Sequence, residues 1–336
     1  MDMKKWVADF IGTEAKKTMP ILSFPCVSLM GITVGELVKS SDAQCEGMKL
    51  VADRVDSAAS VSMMDLSVEA EAFGATVKMT DNEVPTVVGA IVTSEDEANA
   101  LKVPEVGDAR TGIYVDAIRK AKAKITDRPV LAGVIGPFSL AGRLMDVTEA
   151  LVNCYTEPDM VKITMEKATE FLIKYINAYK AAGADGVVMA EPLTGLLSPA
   201  LAEEFSEPYV AEIIKAVQTD DFIVIYHNCG DNTVEMIDSI LRVDAAAYHF
   251  GNAIQMGKMM ENIPADVVAM GNIDPAGEFL GGTPESIKAA TLGLMTELCG
   301  KYPNFVISSG CDIPPDSPWE NIDAYFEAVK DFYKGE

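Results

Sequence analysis

The sequence predicts an α/β fold, a (β/α)8 TIM barrel with an N-terminal extension and a hairpin insertion after the second strand. Three observations carry this. Short apolar, β-rich runs alternate with longer helical patterns, as in a parallel sheet covered by helices. Eight such runs can be counted in a chain of 336 residues, a length that one barrel fills. No glycine-rich dinucleotide loop follows the first run, where SFPCVSLMGITVG stands at 23–35, and this disfavours a doubly wound open sheet.

The eight predicted strands are MPILSF (19–24), SVSMMDL (60–66), PVLAGVI (129–135), GVVMAE (186–191), FIVIYHN (222–228), AAAYHF (245–250), VVAMGN (267–272) and FVISSG (305–310). A helical pattern follows each. The clearest spans 156–182, with apolar residues at Met160, Ile163, Met165, Ala168, Phe171, Leu172 and Tyr175 and a stop at Gly183. A second spans 199–217, opened by Ser198 as N-cap and Pro199 in the first turn. The last spans 319–334, after Ser317-Pro318. The long gap after the second strand contains TVKMTDNEVPTVVGAIV (76–92), which reads as a hairpin turning at Asp81-Asn82. Without an internal repeat, a low-complexity segment or a linker, residues 1–336 read as a single barrel domain.

Charge narrows the partners. Lys+Arg 27 against Asp+Glu 51 gives −24, with a pI near 4.4. Such a field repels nucleic acids and anionic membrane surfaces. It serves solubility, or complementarity to a less acidic protein partner. The amino-terminal MDMKKWVADFIGTEAKK has no apolar run of the kind a secretory signal needs, and nothing approaches the ~18 apolar residues of a membrane span. A cytoplasmic location follows as the expectation, with the 6 scattered cysteines reduced.

Barrel chemistry concentrates at the carboxyl ends of strands. His227-x-Cys229 ends the fifth run, and Cys311 follows the eighth. Two residues apart on an extended segment, His227 and Cys229 share one face. One imidazole and two thiolates suit Zn²⁺ and leave a fourth position open, the pattern of a catalytic site. The competing reading is an inert set of core residues. Glu191, ending the neighbouring strand, is a further candidate, as a proton acceptor, a fourth ligand or a helix-cap partner. Asp65 and Asp274 carry the same alternatives, with the structural role ahead. His249 reads as a hydrogen-bonding rim residue. Arg143, after the third strand, is placed to hold an anionic substrate group or to lie in solvent. Cys26 sits at the rim, whereas Cys45, Cys154 and Cys299 read as core residues.

MMDLSVEAEAFGATV (63–77), ADGVVMAEPLTGLLSP (184–199), FSEPYV (205–210), IYHNCGDN (225–232), GNIDP (271–275) and SSGCDIPPDSPWENIDA (308–324) are further distinctive stretches. Through them the chain resembles the uroporphyrinogen decarboxylase-like proteins. Within these it is most similar to the zinc-dependent corrinoid methyltransferases of the methylcobamide:coenzyme M type. The resemblance implies the barrel fold, with His227, Cys229 and Cys311 as the metal ligands. It departs from the true decarboxylases, whose amino-terminal segment is rich in arginine where this chain reads PILSFPCVSLMGITVGEL. It departs also from cobalamin-independent methionine synthase, a more distant relative whose additional zinc-site Glu falls near His249-Phe250-Gly251 here.

The implied activity is methyl transfer between a methyl-corrinoid and a thiol such as coenzyme M. Zinc would activate the thiol, and Glu191 would take its proton. The corrinoid would arrive on a partner corrinoid protein, because the chain has no D-x-H-x-x-G-type segment to ligate one. The alternatives are a metal-free decarboxylase-like lyase on the same barrel, a corrinoid methyltransferase with a methoxyaromatic, methylamine or methyl-tetrahydrofolate donor, and a non-catalytic protein with a structural zinc.

Overall fold

A computed structural model describes residues 1–335. Seven parallel strands form one curled sheet: β1 (Ser60–Val61), β4 (Val130–Ile135), β5 (Gly186–Ala190), β6 (Ile223–Asn228), β7 (Ala247–Phe250), β8 (Val268–Ile273) and β9 (Phe305–Ser309), adjacent in that order. Between β1 and β4 lies a separate antiparallel hairpin, β2 (Thr76–Lys78) and β3 (Thr86–Val88). Its register pairs Lys78 with Thr86, so Asp81 and Asn82 fall inside the connecting loop as predicted. The barrel strands are buried along their length, which is why they read as short continuous apolar runs rather than alternating ones.

The first predicted strand takes no place in the ladder, although residues 18–25 are buried. The segment runs extended between β1 and β9 and bonds to both sides irregularly. Ala58 N donates to Thr18 O at 2.8 Å, and Met19 N donates to Ile307 O at 3.2 Å. Ile21 N donates instead to the Ser309 hydroxyl at 3.0 Å. Pro20 has no N–H, so regular pairing is interrupted at the centre of the segment. The apolar pattern was right about burial and silent about pairing.

Two groups of buried residues divide the molecule. Inside the sheet, Met19, Ile21, Val61, Leu131, Val188, Ile223, Ile225, Ala247, Val268, Met270 and Val306 fill the barrel. The helix Met3–Gly12, capped by the Asp2 carboxylate, closes its amino-terminal end, inserting Met3, Val7 and Phe10 into the same cluster. The larger core lies between sheet and outer helices. Pro158–Ala181 buries Met160, Met165, Ala168, Phe171, Leu172 and Tyr175, the predicted stripe, while Ile163 is only half-buried. Gly183, with φ of +98°, ends it where side-chain-bearing residues are strained. The predicted helix 199–217 is two helices, Pro199–Phe205 and Glu207–Val217, because Pro208 can accept no continuation of the first. Trp319–Lys334 matches its prediction.

Among the described residues no helix is long and apolar enough to cross a membrane.

Candidate metal centre at the barrel mouth

Strand parity puts His227 and Cys229 on one side of β6 and of the loop that continues it, facing the interior. Cys311 arrives from the loop after β9, where Gly310 N still donates to Ile273 O at 2.6 Å. One ligand atom from each of His227, Cys229 and Cys311 lies within 4.8 Å of the others. Residues 82 positions apart in the chain (Cys229 and Cys311) therefore meet because the sheet is curled. The thiols of Cys229 and Cys311 are placed to share a hydrogen bond. Cys229 is pulled below the ordinary thiol range by that bond, while the bond and burial push Cys311 up to about 12.

His227 is 1 % exposed, and its Nε2 has no hydrogen-bond partner. Its other nitrogen, Nδ1, lies 2.7 Å from Nδ1 of His249, the residue opposite it in the β6–β7 register. His249 Nε2 lies 2.8 Å from the Ser308 hydroxyl, which donates to the Met19 carbonyl at 2.6 Å. Burial, with His227 beside it, drives the His249 imidazole well below its usual range, so it is neutral. The expectation of His249 as a rim hydrogen-bonder agrees with these contacts. A further unpartnered buried atom stands beside Cys311, Oδ1 of Asp312. Burial and the adjacent Cys311 push the Asp312 carboxyl well above the usual carboxylate range. A buried imidazole nitrogen without a partner, beside two sulfurs, is costly in an apoprotein and fits a soft or borderline metal ion.

Glycine contacts hold the cysteine loops. A Cβ on Gly251 would sit 2.3 Å from the Cys229 Cβ, and one on Gly230 would sit 2.4 Å from the Gly195 Cα. The loop after β7 is strapped by Asn272, whose amide donates to the Gly251 and Ile254 carbonyls at 2.9 and 2.7 Å. Gly251→Ala should destabilise the protein by ~1–3 kcal/mol through overpacking and displace Cys229. Urea unfolding and zinc titration of the same variant check both effects. Neither glycine stood out in the sequence, because the approach is between loops rather than within a motif.

Glu191 does not join the group that could hold an ion. Its carboxylate caps the helix Pro137–Met145, accepting from Phe138 N at 3.0 Å and Ser139 N at 2.6 Å. Of its three predicted roles, this geometry favours the helix-cap partner. Burial raises its carboxyl from 4.5 to about 7, against those hydrogen bonds. A raised carboxyl favours the folded state fully below about 4.5, and that contribution is lost as pH climbs to about 7. Replacement by glutamine should remove ~3 kcal/mol of pH dependence from the unfolding free energy across this window. Denaturant midpoints of both proteins at pH 5 and pH 8 measure it.

The other candidates separate cleanly. Asp65 is locked in a buried cluster with Arg110 and Tyr114, whose hydroxyl donates to it at 2.7 Å. Arg110 also donates to Glu71 at 2.6 Å and to the Ser67 hydroxyl at 2.8 Å. Asp274 accepts from Ala276 N and Gly277 N, both at 3.0 Å, as an N-cap. Cys26 is fully buried, and burial pushes its thiol up to about 12. Arg143 is half-buried on the helix that follows β4, with no acidic partner among the described residues.

The family pattern of uroporphyrinogen decarboxylase (URO-D) matches residues 22–332. The chain is 25% identical over 272 residues to a methylcobamide:CoM methyltransferase MtbA of Methanosarcina acetivorans, covering 80% of this chain and 78% of that protein. It is 27% identical over 305 residues to a uroporphyrinogen decarboxylase of Coxiella burnetii, covering 88% and 82%. The solved structure of a methyltransferase from Methanosarcina mazei superposes with a TM-score of 0.86 over 99% of this chain and 98% of that one, at 22% identity, and shares the fold. A barrel of this topology, matched along nearly its whole length by one family pattern, settles membership: the chain belongs to the uroporphyrinogen decarboxylase (URO-D) family.

Proposed function

We propose that this chain is a zinc-dependent methyltransferase that moves a methyl group between a methyl-corrinoid, carried by a partner corrinoid protein, and a small thiol such as coenzyme M. The single observation that carries the reading is the convergence of His227, Cys229 and Cys311 within 4.8 Å, with His227 Nε2 buried and unpartnered. Likeness to the methylcobamide:CoM methyltransferases supports it.

His227, Cys229 and Cys311 would hold the ion, and zinc bound there would lower the pKa of a coordinated thiol enough to present it as a thiolate at neutral pH. Two cysteine thiolates bring two negative charges and neutral His227 none, so the protein donors balance a divalent cation. The loops after β6 and β9 bring the two sulfurs within 4.8 Å of each other at the carboxyl ends of the strands, where a bound thiol would be held for a methyl donor approaching from the mouth. Glu191, with both oxygens engaged by the helix it caps, contributes by holding that helix against the rim. Arg143, on the same helix and without an acidic partner among the described residues, would be a cation for the anionic end of a thiol.

The decarboxylase reading draws on the relatives of that name. It is disfavoured by the absence of arginine from residues 20–37. The deciding experiment is metal analysis of the purified protein together with methylcobalamin and a panel of thiols, followed by the corrinoid absorbance change. About one zinc per chain with thiol-dependent demethylation is the expected result; a zinc-free protein without turnover on any thiol overturns the proposal. Arg143→Ala should raise KM for an anionic thiol by ~10–100-fold, the loss of one charged hydrogen bond, and leave an uncharged thiol nearly unaffected. Steady-state kinetics with both thiols test it.

A further inference from the structure

His249 lies outside the three-residue group, yet it is fully buried against it. Its hydrogen bonds can be assigned from their one unambiguous end. The Met19 carbonyl only accepts, so the single Ser308 hydroxyl proton is spent on it. The Ser308 oxygen must then accept from His249 Nε2–H. A neutral imidazole carries one N–H, which leaves His249 Nδ1 bare. The 2.7 Å contact between the two Nδ1 atoms needs one proton, and only His227 can supply it. A doubly protonated His249 would place a cation at 0 % exposure with no carboxylate bonded to it. His227 is therefore the Nδ1–H tautomer, with its lone pair on Nε2, the buried atom that has no partner.

We propose that His249 is a positioning residue that locks His227 in this tautomer and so keeps the Nε2 lone pair free for the metal ion. Histidine ligands ordinarily donate their second N–H to a carboxylate, a carbonyl or water. Here the acceptor is a second imidazole, oriented in turn by Ser308 and by the Met19 carbonyl. That carbonyl can serve because the segment around Pro20 lies outside the strand ladder. The β6–β7 register sets His249 directly beside His227, so the contact is a property of the sheet rather than of a mobile loop.

The inference rests on the zinc reading, and its test can fail separately. The chain has only 2 histidines, so protein labelled with 15N-histidine gives two ring systems. Long-range 1H–15N spectra of the metal-free native protein should show His227 protonated on Nδ1 and bare on Nε2. His249→Phe should release that tautomer and weaken zinc binding by ~10–100-fold, with His249→Gln, which keeps a side-chain carbonyl as acceptor, recovering most of the loss. If His249→Phe fails to fold, Ser308→Ala, which removes the acceptor for His249 Nε2–H, must loosen the tautomer in the same direction. A proton on His227 Nε2 in the native protein overturns the proposal. So does unchanged zinc affinity in a folded His249→Phe variant. Native protein that takes up no zinc sinks the metal reading alone, because the metal-free spectrum still decides for or against the lock.

Discussion

Cys311→Ser should purify almost free of zinc, with its affinity for the ion lowered by at least ~100-fold, since loss of supporting groups alone costs ~10–100-fold. Methyl transfer to thiols should fall with it. A serine hydroxyl is a hard donor that stays protonated at neutral pH, so the substitution removes both the soft ligand and one of the two negative charges. The side chain is half-buried on a loop, and exchange of sulfur for oxygen leaves the strands beneath it untouched. Thermal unfolding of the metal-free forms should therefore coincide, while zinc titration separates them. Equal zinc affinity in the two proteins would remove Cys311 from the ligand set, and the proposed activity would lose its foundation.

Arg110→Leu should cost ~3–5 kcal/mol of folding stability, as expected when one partner of a buried ion pair is removed. The Asp65 side chain is completely buried, and Arg110 is 5 % exposed. Without the guanidinium, Asp65 keeps the Tyr114 and Ser67 hydroxyls and the Ser67 amide as donors but no compensating charge. Glu71 loses its partner at the same time. The double variant Asp65→Asn with Arg110→Leu should recover a large part of the loss, because the stranded charge is gone. Urea unfolding of the three variants measures this. A single-variant loss below ~1 kcal/mol would show that water reaches Asp65 and solvates it.

The barrel was legible because parallel strands covered on both faces must be short apolar runs, and GVVMA or IVIYHN can be little else. Pairing was less legible. Residues 19–24 have the same apolar character, yet Pro20 keeps them out of the ladder. The break at Ser206 also turns on one proline, Pro208, within an otherwise continuous helical pattern. At the mouth, the shared face of His227 and Cys229 follows from a period of two. Their meeting with Cys311 needs the sheet to curl, which no local spacing encodes. The contact of His227 with His249 depends on lateral register, a relation between strands that a one-dimensional pattern does not carry. Arg110 carries no signal of its role in the sequence, because it stands at the start of a helix with an ordinary pattern and its ties to Asp65 and Glu71 cross 45 and 39 positions.

The helix Met3–Gly12, tied by its first amide to the Asp220 carbonyl at 2.8 Å, makes the barrel a cup with a stopper rather than a tube. With that end plugged, the carboxyl-terminal mouth is the side from which the proposed reactants would approach His227 and Cys229. For a reaction between a small thiol and a cofactor borne on a whole protein, a shared doorway imposes a queue. On the proposed function, the small partner is seated before the large one covers the opening, and its methylated form would depart only after the carrier lifts away.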